Sequence, residues 1–271
     1  MIRLGVQAFG VAGAPEGFPG HDAWPQDPRI RHVIGDEGAV SKALHAHYPP
    51  LKLRRLDPYA ATALLAARLA LEAWTMPENP VKSTNPVEEV WGESFPPAGS
   101  GAEPRLAGLG LVVCTGRGPV PAINAFTDSY LDFGLAGASP TAFSQTVHNV
   151  AASTISMFLD IEGPSLTVSQ PELGVSAALC TIGAWLASGF ARAVLFGAVD
   201  DYQGFSSVLE PSPGHCSHNP VAVFTVLGAG GLAADLFCLA REAERTRRAG
   251  PVEILSGFLP ALAAGRGGVH L

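Results

Sequence analysis

The sequence predicts an α/β fold in which a mostly parallel sheet is covered by helices on both faces. Segments with strand and helix character alternate along the chain from Leu106 onward. The strand-like segments 109–114 and 193–197 are continuously apolar and do not alternate between apolar and polar residues. Continuous apolar strands are typical of a parallel sheet that is buried on both faces.

Each predicted element follows from a local pattern. The chain opens with a strand, and Asp57-Pro58 begins a helix, because an acidic N-cap followed by proline at the first helical position favours helix initiation. This helix is apolar on most of its faces, which indicates a buried helix. The predicted helices cover 59–74, 122–131, 147–158, 173–187 and 234–248. The later predicted strands cover 109–114, 164–168, 193–197, 221–227 and 252–255.

The chain is predicted to form a single domain over residues 1–271. The segment from about 18 to 50 contains scattered proline, glycine and histidine, so we expect it to be irregular. Residues 76–105 are rich in proline, glycine, serine and glutamate and are expected to form a weakly structured surface excursion. We expect the tail after residue 260 to fray.

The composition points to a protein partner and excludes nucleic acid. Charged residues make up 15% of the chain and hydrophobic residues 47%, whereas an average soluble domain has about 25% charged residues. We therefore expect part of the surface to be buried against another subunit. The formal net charge of -7 argues against nucleic acid, because phosphate binding needs a cationic face. It still permits contact between a local basic patch and an acidic carrier protein.

The cysteines and the apolar segments bear on the compartment. Four cysteines occur without CxxC spacing: Cys114, Cys180, Cys216 and Cys238. Their mostly apolar surroundings predict buried free thiols in a reducing cytoplasm. No apolar run approaches the roughly 20 residues of a membrane-spanning helix. The stretch from Arg3 to Ala14 faintly resembles a signal peptide, but Gln7 and two glycines interrupt it, so an opening strand is favoured.

Four sequence blocks in the second half of the chain carry the strongest signal. They are SPTAFSQTVHN at 139–149, GPSLTV at 163–168, AVLFGAVD at 193–200 and FTVLGAGG at 224–231. Their order and spacing resemble the N-terminal half of a β-ketoacyl synthase, an enzyme of thiolase-like fold. The resemblance is good over the later part of the chain and loose over the earlier part. It implies the N-terminal half of a thiolase-like fold.

The departures from the ketosynthase pattern bear on catalysis. Ketosynthases carry a nucleophilic cysteine at the start of the helix that follows the Gly-Pro-Ser strand, where the helix N-terminus lowers the pKa of the thiol. The corresponding position here is Glu172, which forms no stable thioester, and Cys180 lies two turns further along and is expected to be a core residue. The two histidines of ketosynthases lie in their C-terminal half, and this sequence ends where that half would begin. We therefore expect no condensation by this chain alone.

What remains resembles the chain length factors, and most of all the chain-length-factor-like subunits of type II systems that make aryl polyenes. This resemblance implies a heterodimer with a ketosynthase subunit, contact with an acyl carrier protein, and no cofactor or metal. It also places the segment Ser144 to Asn149 at the subunit interface, where it helps to close the partner's acyl tunnel. Val147 would limit the tunnel depth, with Phe143, Ser144, His148 and Asn149 beside it.

Two of these residues have simpler interpretations. Glu172 could aid decarboxylation or mimic a charged intermediate, but an acid at a helix N-terminus is more often a stabilising cap. His148 could act as a general base. Its apolar surroundings beside Asn149 favour a hydrogen-bonded structural or interface histidine.

Two further patterns suggest a metal site and a carrier contact. The HCSH sequence at 215–218 offers three metal donors, and His45-Ala46-His47 could add a fourth. Nothing in the sequence brings the two together, so a mobile loop is favoured. The basic helix end with Arg241, Arg245, Arg247 and Arg248 could contact a carrier protein, although a solvated helix face is the commoner role.

Two enzymatic alternatives remain open. Gly228 to Ala233 matches the dinucleotide fingerprint G-x-G-x-x-[GA], which would make the chain an NAD(P)-dependent oxidoreductase. Against this, Glu253 lies near the beginning of the next predicted strand, where the fingerprint needs an acid at its end. The other alternative is a decarboxylase or acyltransferase that uses Cys180 or Ser169 as its nucleophile.

Overall fold

The computed structural model contains a seven-stranded sheet. The structure describes residues 4–14, 29–74, 106, 108–201, 219–229, 232–233, 240 and 250–263. The strands are β1 (Leu4–Ala14), β2 (Ile30–Ile34), β3 (Leu109–Thr115), β4 (Ser165–Ser169), β5 (Ala193–Asp200), β6 (Val221–Ala229) and β7 (Leu232–Ala233). The helices are α1 (Glu37–His45), α2 (Pro50–Leu53), α3 (Pro58–Ala73), α4 (Val120–Gly137), α5 (Pro140–Ser144), α6 (Val150–Leu159), α7 (Gly174–Ala187) and α8 (Pro251–Ala263).

The strand directions confirm a mostly parallel sheet. The strand order is β2-β1-β6-β5-β3-β4, and β7 pairs with β1. Only β6 runs against the other five strands of this order, because it is antiparallel to both β1 and β5 while the remaining pairs are parallel. The carboxyl ends of β3, β4 and β5 therefore meet at one end of the sheet, at Thr115, Ser169 and Asp200.

Helices cover both faces of the sheet, as the sequence predicts. Helices α1, α3 and α6 pack on the first face, and α7 and α8 pack on the second. Strand β3 contributes to both layers: Leu111 and Val113 belong to the first, Val112 and Cys114 to the second. This division follows from the two-residue period of a strand, and it explains why the whole strand is apolar.

Helix α3 lies between the sheet and α6, with twelve of its sixteen residues buried. Its predicted beginning is confirmed: the Asp57 side chain accepts a hydrogen bond from the backbone N–H of Ala60 at 2.6 Å, and Pro58 follows at the first helical position. The many alanines let the helix approach β1 closely. A Cβ at Gly10 would lie 2.0 Å from the backbone oxygen of Ala66 and 2.4 Å from the backbone nitrogen of Ala70.

Most of the other predicted elements also match the structure. The opening strand and the predicted strands at 109–114, 164–168, 193–197 and 221–227 are present with small changes of boundary. The helix expected at 122–131 is longer and is broken at Gly134, whose φ of 64° is not helical. The helix expected from residue 147 begins at Val150, because residues 145–149 form a turn.

Two predictions about irregular segments are wrong within the described residues. The supposedly irregular region 18–50 contains β2 and α1, and its residues 18–28 lie outside the described part of the chain. Helix α1 begins where the Asp36 carboxylate accepts a hydrogen bond from the backbone N–H of Ala39 at 3.0 Å. The tail expected to fray after 260 begins with helix, since α8 continues to Ala263.

The strand predicted at 252–255 is also wrong, because these residues belong to α8. Val252 and Leu255, three residues apart, are both buried against the second face of the sheet. Pro251 begins the helix, and Ile254 donates a backbone hydrogen bond to the oxygen of Gly250. A segment of four residues with three apolar side chains is too short to show a distinct period, so its pattern does not separate a short strand from a buried helix.

Several other predictions concern residues outside the described part, namely the whole surface excursion at 76–105 and the helix at 234–248 apart from Ala240. Among the described helices, none has the length and apolar character needed to span a membrane.

The contact between Gly10 and α3 gives a stability prediction. Gly10→Ala should lower the free energy of unfolding by about 3 kcal/mol or more, because the new methyl group overlaps backbone atoms that cannot rotate away. Gly183→Ala is the matched control, since a Cβ there meets nothing within 4 Å and α7 gains about 1 kcal/mol of helix propensity. Denaturant titration measures both, and equal stabilities of the two variants would contradict the packing described.

Candidate functional site

A turn between β4 and α7 occupies the end of the sheet where the parallel strands finish. After Ser169, the backbone N–H of Gln170 donates to the oxygen of Thr115 at 2.9 Å, which ties the turn to the end of β3. Helix α7 then begins at Gly174, and its N-cap Leu173 has a left-handed backbone with φ 59°. A non-glycine residue with positive φ at a strand-to-helix turn is the geometry of a nucleophile elbow. We call residues 170–173 the elbow.

The elbow carries no thiol or hydroxyl, and this geometry corrects the interpretation of Glu172. Glu172 is exposed and lies one residue before the N-cap, so the cap predicted at Glu172 is instead Leu173, whose side chain makes no capping hydrogen bond. Cys180 is exposed on α7, so its prediction as a core residue is wrong. Cys114 is a buried free thiol as predicted, and its Sγ donates to the backbone oxygen of Gly174 at 3.5 Å.

The segment 143–149 brings together the five residues predicted for the tunnel. Phe143 lies in the last turn of α5 and packs against Phe126 of α4, with ring centroids 5.4 Å apart. Val147 is 40% exposed. The His148 ring is half-buried and lies against the backbone of Gly118, where a Cβ would be 2.6 Å from His148 Cδ2. Ser144 and Asn149 are exposed.

The predicted hydrogen bond of His148 is not found within the described residues: its ring is held by packing on Gly118. Asn149 lies at the N-cap of α6, but its side chain makes no capping hydrogen bond. The Ser144 hydroxyl donates to the oxygen of Thr141 at 2.7 Å. Segment 143–149 is therefore anchored at its two ends, while Val147 faces outward.

Helix α4, the short α5 and the turn after it expose several large apolar side chains that the described part of the chain does not cover. Of the residues of α4, only Val120 is buried. The exposed apolar side chains of this region are Tyr130, Leu131, Phe133, Leu135, Phe143 and Val147. Leu135 is 84% exposed. Exposed apolar side chains concentrated in one region of a chain are typical of an interaction site. We call these six residues the apolar surface.

A buried carboxyl group lies behind the elbow. Asp200, at the end of β5, is 2% exposed. Its Oδ1 accepts hydrogen bonds from the Thr115 hydroxyl at 2.8 Å, the Gly116 N–H at 2.9 Å and the Arg117 N–H at 2.8 Å. The sequence interpretation missed this group, although a signal existed: Thr115 and Asp200 are polar residues that end two strands otherwise composed of apolar residues and glycine.

Burial raises the pKa of Asp200 to about 7, although the hydrogen bonds from Arg117, Thr115 and Gly116 act in the opposite direction and lower it. Glu253 of α8 raises the pKa further through its charge. From α3, the buried hydroxyl of Tyr59 is directed toward Thr115 without a hydrogen bond of ordinary geometry, and burial raises the pKa of Tyr59 as well. The neighbourhood of Asp200 thus contains more acidic groups, Asp201 and Asp57 among them.

The dinucleotide-binding alternative is contradicted by the backbone. A dinucleotide fingerprint requires a strand, a tight turn and then the beginning of a helix. Here Gly228 lies within β6 and pairs with Gly5 and Ala193, and Leu232-Ala233 form β7, which pairs with β1. Gly230 and Gly231 lie outside the described residues. Gly228 therefore lies in a strand, and the described residues that follow it at 232–233 form another strand where the fingerprint requires a helix.

The metal and carrier-contact patterns lie mainly outside the described part of the chain. This holds for the HCSH sequence at 215–218, the arginines of 241–248, and Cys216 and Cys238. In the described ranges, no group of three or more His, Cys, Asp or Glu side chains could hold a metal ion. His45 Nδ1 instead bonds to the oxygen of Ser41 at 2.7 Å, and His47 Nδ1 lies 3.8 Å from Glu72.

Comparisons with known proteins agree with this geometry. Residues 135–249 match the model of the β-ketoacyl synthase N-terminal domain. The search of curated proteins finds no match. A ketosynthase (ApeO) in complex with its chain length factor (ApeC) from Xenorhabdus doucetiae has a similar chain, with a TM-score of 0.53 and 16% identity over 85% of this chain and 81% of that one. The chain is therefore similar in fold to a ketosynthase, and its residues 135–249 are similar in sequence to the N-terminal domain of β-ketoacyl synthases.

Two further structures share this ketosynthase-like fold. One is the AntDE:AntF assembly, a type II polyketide synthase acyl-carrier protein in complex with its ketosynthase bound to the hexaketide, with a TM-score of 0.52 and 17% identity over 84% of this chain. The other is the ishigamide ketosynthase/chain length factor, with a TM-score of 0.50 and 12% identity over 86% of this chain. This chain spans 63% of the matched chain in each of these two. At these identities the likeness establishes the fold, which is thiolase-like as predicted.

The raised pKa of Asp200 gives a pH-dependent stability prediction. Because this pKa is about 7 in the folded chain and 3.8 ordinarily, the folded chain keeps a proton that the unfolded chain loses. The free energy of unfolding should therefore fall as the pH rises from about 4 to 7. Asp200→Asn does not titrate. Between about pH 5 and 8 we expect the natural chain to lose about 2 kcal/mol relative to this variant, and parallel profiles in denaturant titrations would contradict the assignment.

Proposed function

We propose that this ketosynthase-like chain is a non-catalytic, chain-length-factor-like subunit that pairs with a ketosynthase and closes the deep end of its acyl tunnel. The observation that carries the proposal is an elbow without a nucleophile beside an uncovered apolar surface. An enzyme acting alone needs a nucleophile at the elbow and has no need of an exposed apolar surface. A subunit that shapes a partner's tunnel needs the apolar surface and has no need of a nucleophile.

The elbow supports the absence of covalent chemistry. Ketosynthases form an acyl-thioester on a thiolate at this turn, whereas Glu172 offers a carboxylate and Leu173 an apolar side chain. A decarboxylase or acyltransferase would have to use Cys180 or Ser169. Both are exposed, and neither forms a hydrogen bond with a histidine in the described ranges. An activated nucleophile requires such a base or a pKa lowered by its surroundings.

The apolar surface and strand β4 support the proposed interface with a ketosynthase. Strand β4 pairs with β3 on one side and ends the sheet order of the described chain. An edge strand offers unpaired N–H and C=O groups to another chain. Leu166 and Val168 of β4 are only partly buried on the second core cluster. A ketosynthase subunit that paired along β4 and covered α4 and α5 would satisfy both the backbone and the apolar side chains.

The anchoring of segment 143–149 supports the proposed role of Val147 in setting the tunnel depth. Phe143 and His148 are held by Phe126 and Gly118 respectively, and Val147 projects from between them. A side chain in this position sets the depth of a cavity by its volume alone. Ser144 and Asn149 would complete the surface that faces the partner's acyl chain. No cofactor or metal enters this role.

A basic patch near this segment supports contact with an acyl carrier protein. Lys52, Arg54 and Arg55 are exposed within four residues of a chain whose net charge is -7. The patch lies beside the tunnel segment, because the Gln145 side chain donates a hydrogen bond to the backbone oxygen of Arg55 at 3.2 Å. Exposed Leu51 adds an apolar contact. Charge complementarity of this kind steers an acidic partner toward its docking site.

The setting follows from the proposed role. We place the assembly in the cytoplasm, where free thiols such as that of Cys114 remain reduced. The product class is proposed to be of aryl polyene type, on the resemblance of the sequence to those systems.

The first test changes the volume of Val147 in the complex with its ketosynthase. Val147→Phe should shorten the products, and Val147→Ala should lengthen them by about one extension unit, because the side chain limits tunnel depth. Val147→Thr keeps the volume and should leave the lengths unchanged. Mass spectrometry of the products measures each variant. Condensation of malonyl and acyl carrier thioesters by the purified chain alone would refute the non-catalytic role.

The second test reverses the basic patch. Changing Lys52, Arg54 and Arg55 together to glutamate should raise the KM for the carrier protein by about tenfold at low salt and leave kcat unchanged, because charges on the surface act mainly on association. Arg31→Glu, an exposed cation on β2, is the control and should have no effect. The effect should shrink with added salt. An unchanged KM in the triple variant would remove the patch from the proposal.

A further inference from the structure

The three hydrogen bonds accepted by Asp200 all come from one turn. The donors belong to Thr115, Gly116 and Arg117, which lead from the end of β3 toward α4. The Thr115 hydroxyl has a second role, because it accepts a hydrogen bond from the Gly118 N–H at 2.7 Å. Every residue of the turn 115–118 is thus bonded to Asp200 directly or through one hydroxyl. These bonds fix the path of the turn.

This turn lies between the buried carboxyl group and the tunnel segment. Gly118 has a φ of 71°, and the ring of His148 lies so close to its backbone that a Cβ would be 2.6 Å from Cδ2 and 2.8 Å from Nε2. On its other side the turn approaches the elbow, since a Cβ at Gly116 would lie 3.3 Å from the Cα of Pro171. A displacement of the turn therefore displaces the surface on which His148 rests.

We infer that Asp200 is a positioning residue, whose carboxyl group fixes the turn 115–118 and, through Gly118, the ring of His148 beside Val147. Asp200 makes no hydrogen bond to segment 143–149 or to Glu172, which occupies the nucleophile position of the elbow. It acts through hydrogen bonds to the turn and through packing of the turn on the ring. The consequence for product length rests on the proposed function, but the positioning of His148 does not.

Three substitutions separate the acceptor role from the charge. Asp200→Ala removes the acceptor and leaves two backbone N–H groups and a hydroxyl without it. Thr115→Val is nearly isosteric and breaks only the hydroxyl link between Asp200 and Gly118. Asp200→Asn keeps an oxygen in the accepting position and serves as the conservative variant. Asp160→Asn is the control, because Asp160 is exposed and its left-handed backbone suits asparagine.

The first measurement is made on the full chain by itself. The chain has eight histidines, and the ring resonances of labelled protein are assigned with the help of His148→Gln. Asp200→Ala and Thr115→Val should move the His148 resonance in the same direction, while Asp200→Asn and Asp160→Asn leave it in place. If Asp200→Ala does not fold, the His148 resonance of Thr115→Val alone tests the inference. An unmoved His148 resonance in folded Thr115→Val would overturn the inference.

The second measurement is made on the complex with the ketosynthase. A released turn lets the His148 ring withdraw toward the core, so Thr115→Val should give products longer by about one extension unit. This is opposite in sign to Val147→Phe. If the natural complex elongates chains and Thr115→Val gives unchanged lengths, the link from Asp200 to tunnel depth is refuted. If the natural chain pairs with no ketosynthase, the proposed function fails, and the resonance of His148 still decides the positioning role.

Discussion

The burial of helix α3 between the sheet and α6 is the constraint on which the rest of the structure depends. One side of α3 contacts β1, β5 and β6, and another contacts α6 and α1. This arrangement requires small residues, since Gly10 lies against the backbone of the helix. Because α6 rests on α3, the segment 143–149 that leads into α6 has a fixed height above the sheet. The candidate site is therefore positioned by the packing of the alanine residues of α3, which are not themselves part of the site.

The core of the molecule and helix α4 differ in how far they bury their apolar side chains. The strands and α3 bury theirs within the chain, and Asp200, the acid at the end of β5, finds three hydrogen-bond donors in the turn beside it. Helix α4 buries only Val120 in this chain. A low content of charged residues is consistent with such a surface, because a face that meets another subunit needs few charges. The division between a self-sufficient core and an uncovered face gives the fold its proposed role as a partner.

Sequence patterns predicted the elements whose signals are local and left out those that depend on tertiary contacts. Asp57-Pro58 marked the beginning of α3 because capping involves neighbouring residues. The run 252–255 was mistaken for a strand because four residues are too few to show the helical period. Counting from Gly163 located the elbow, yet the cap lies at Leu173, one residue later. The bond between Thr115 and Asp200 joins residues 85 apart in sequence, so only the folded chain reveals it.

Leu173 connects the lost nucleophile with the proposed partner. A left-handed backbone at a leucine costs about 1–3 kcal/mol and persists where surrounding structure imposes it. The elbow is held from both sides, by the bond from Gln170 to Thr115 and by Cys114 against Gly174. Glycine would relieve the strain at residue 173 and would remove only the buried half of the leucine side chain, since the other half is exposed. An apolar side chain at this strained position is better accounted for by a contact with a second subunit than by the packing of this chain, as the proposed pairing requires.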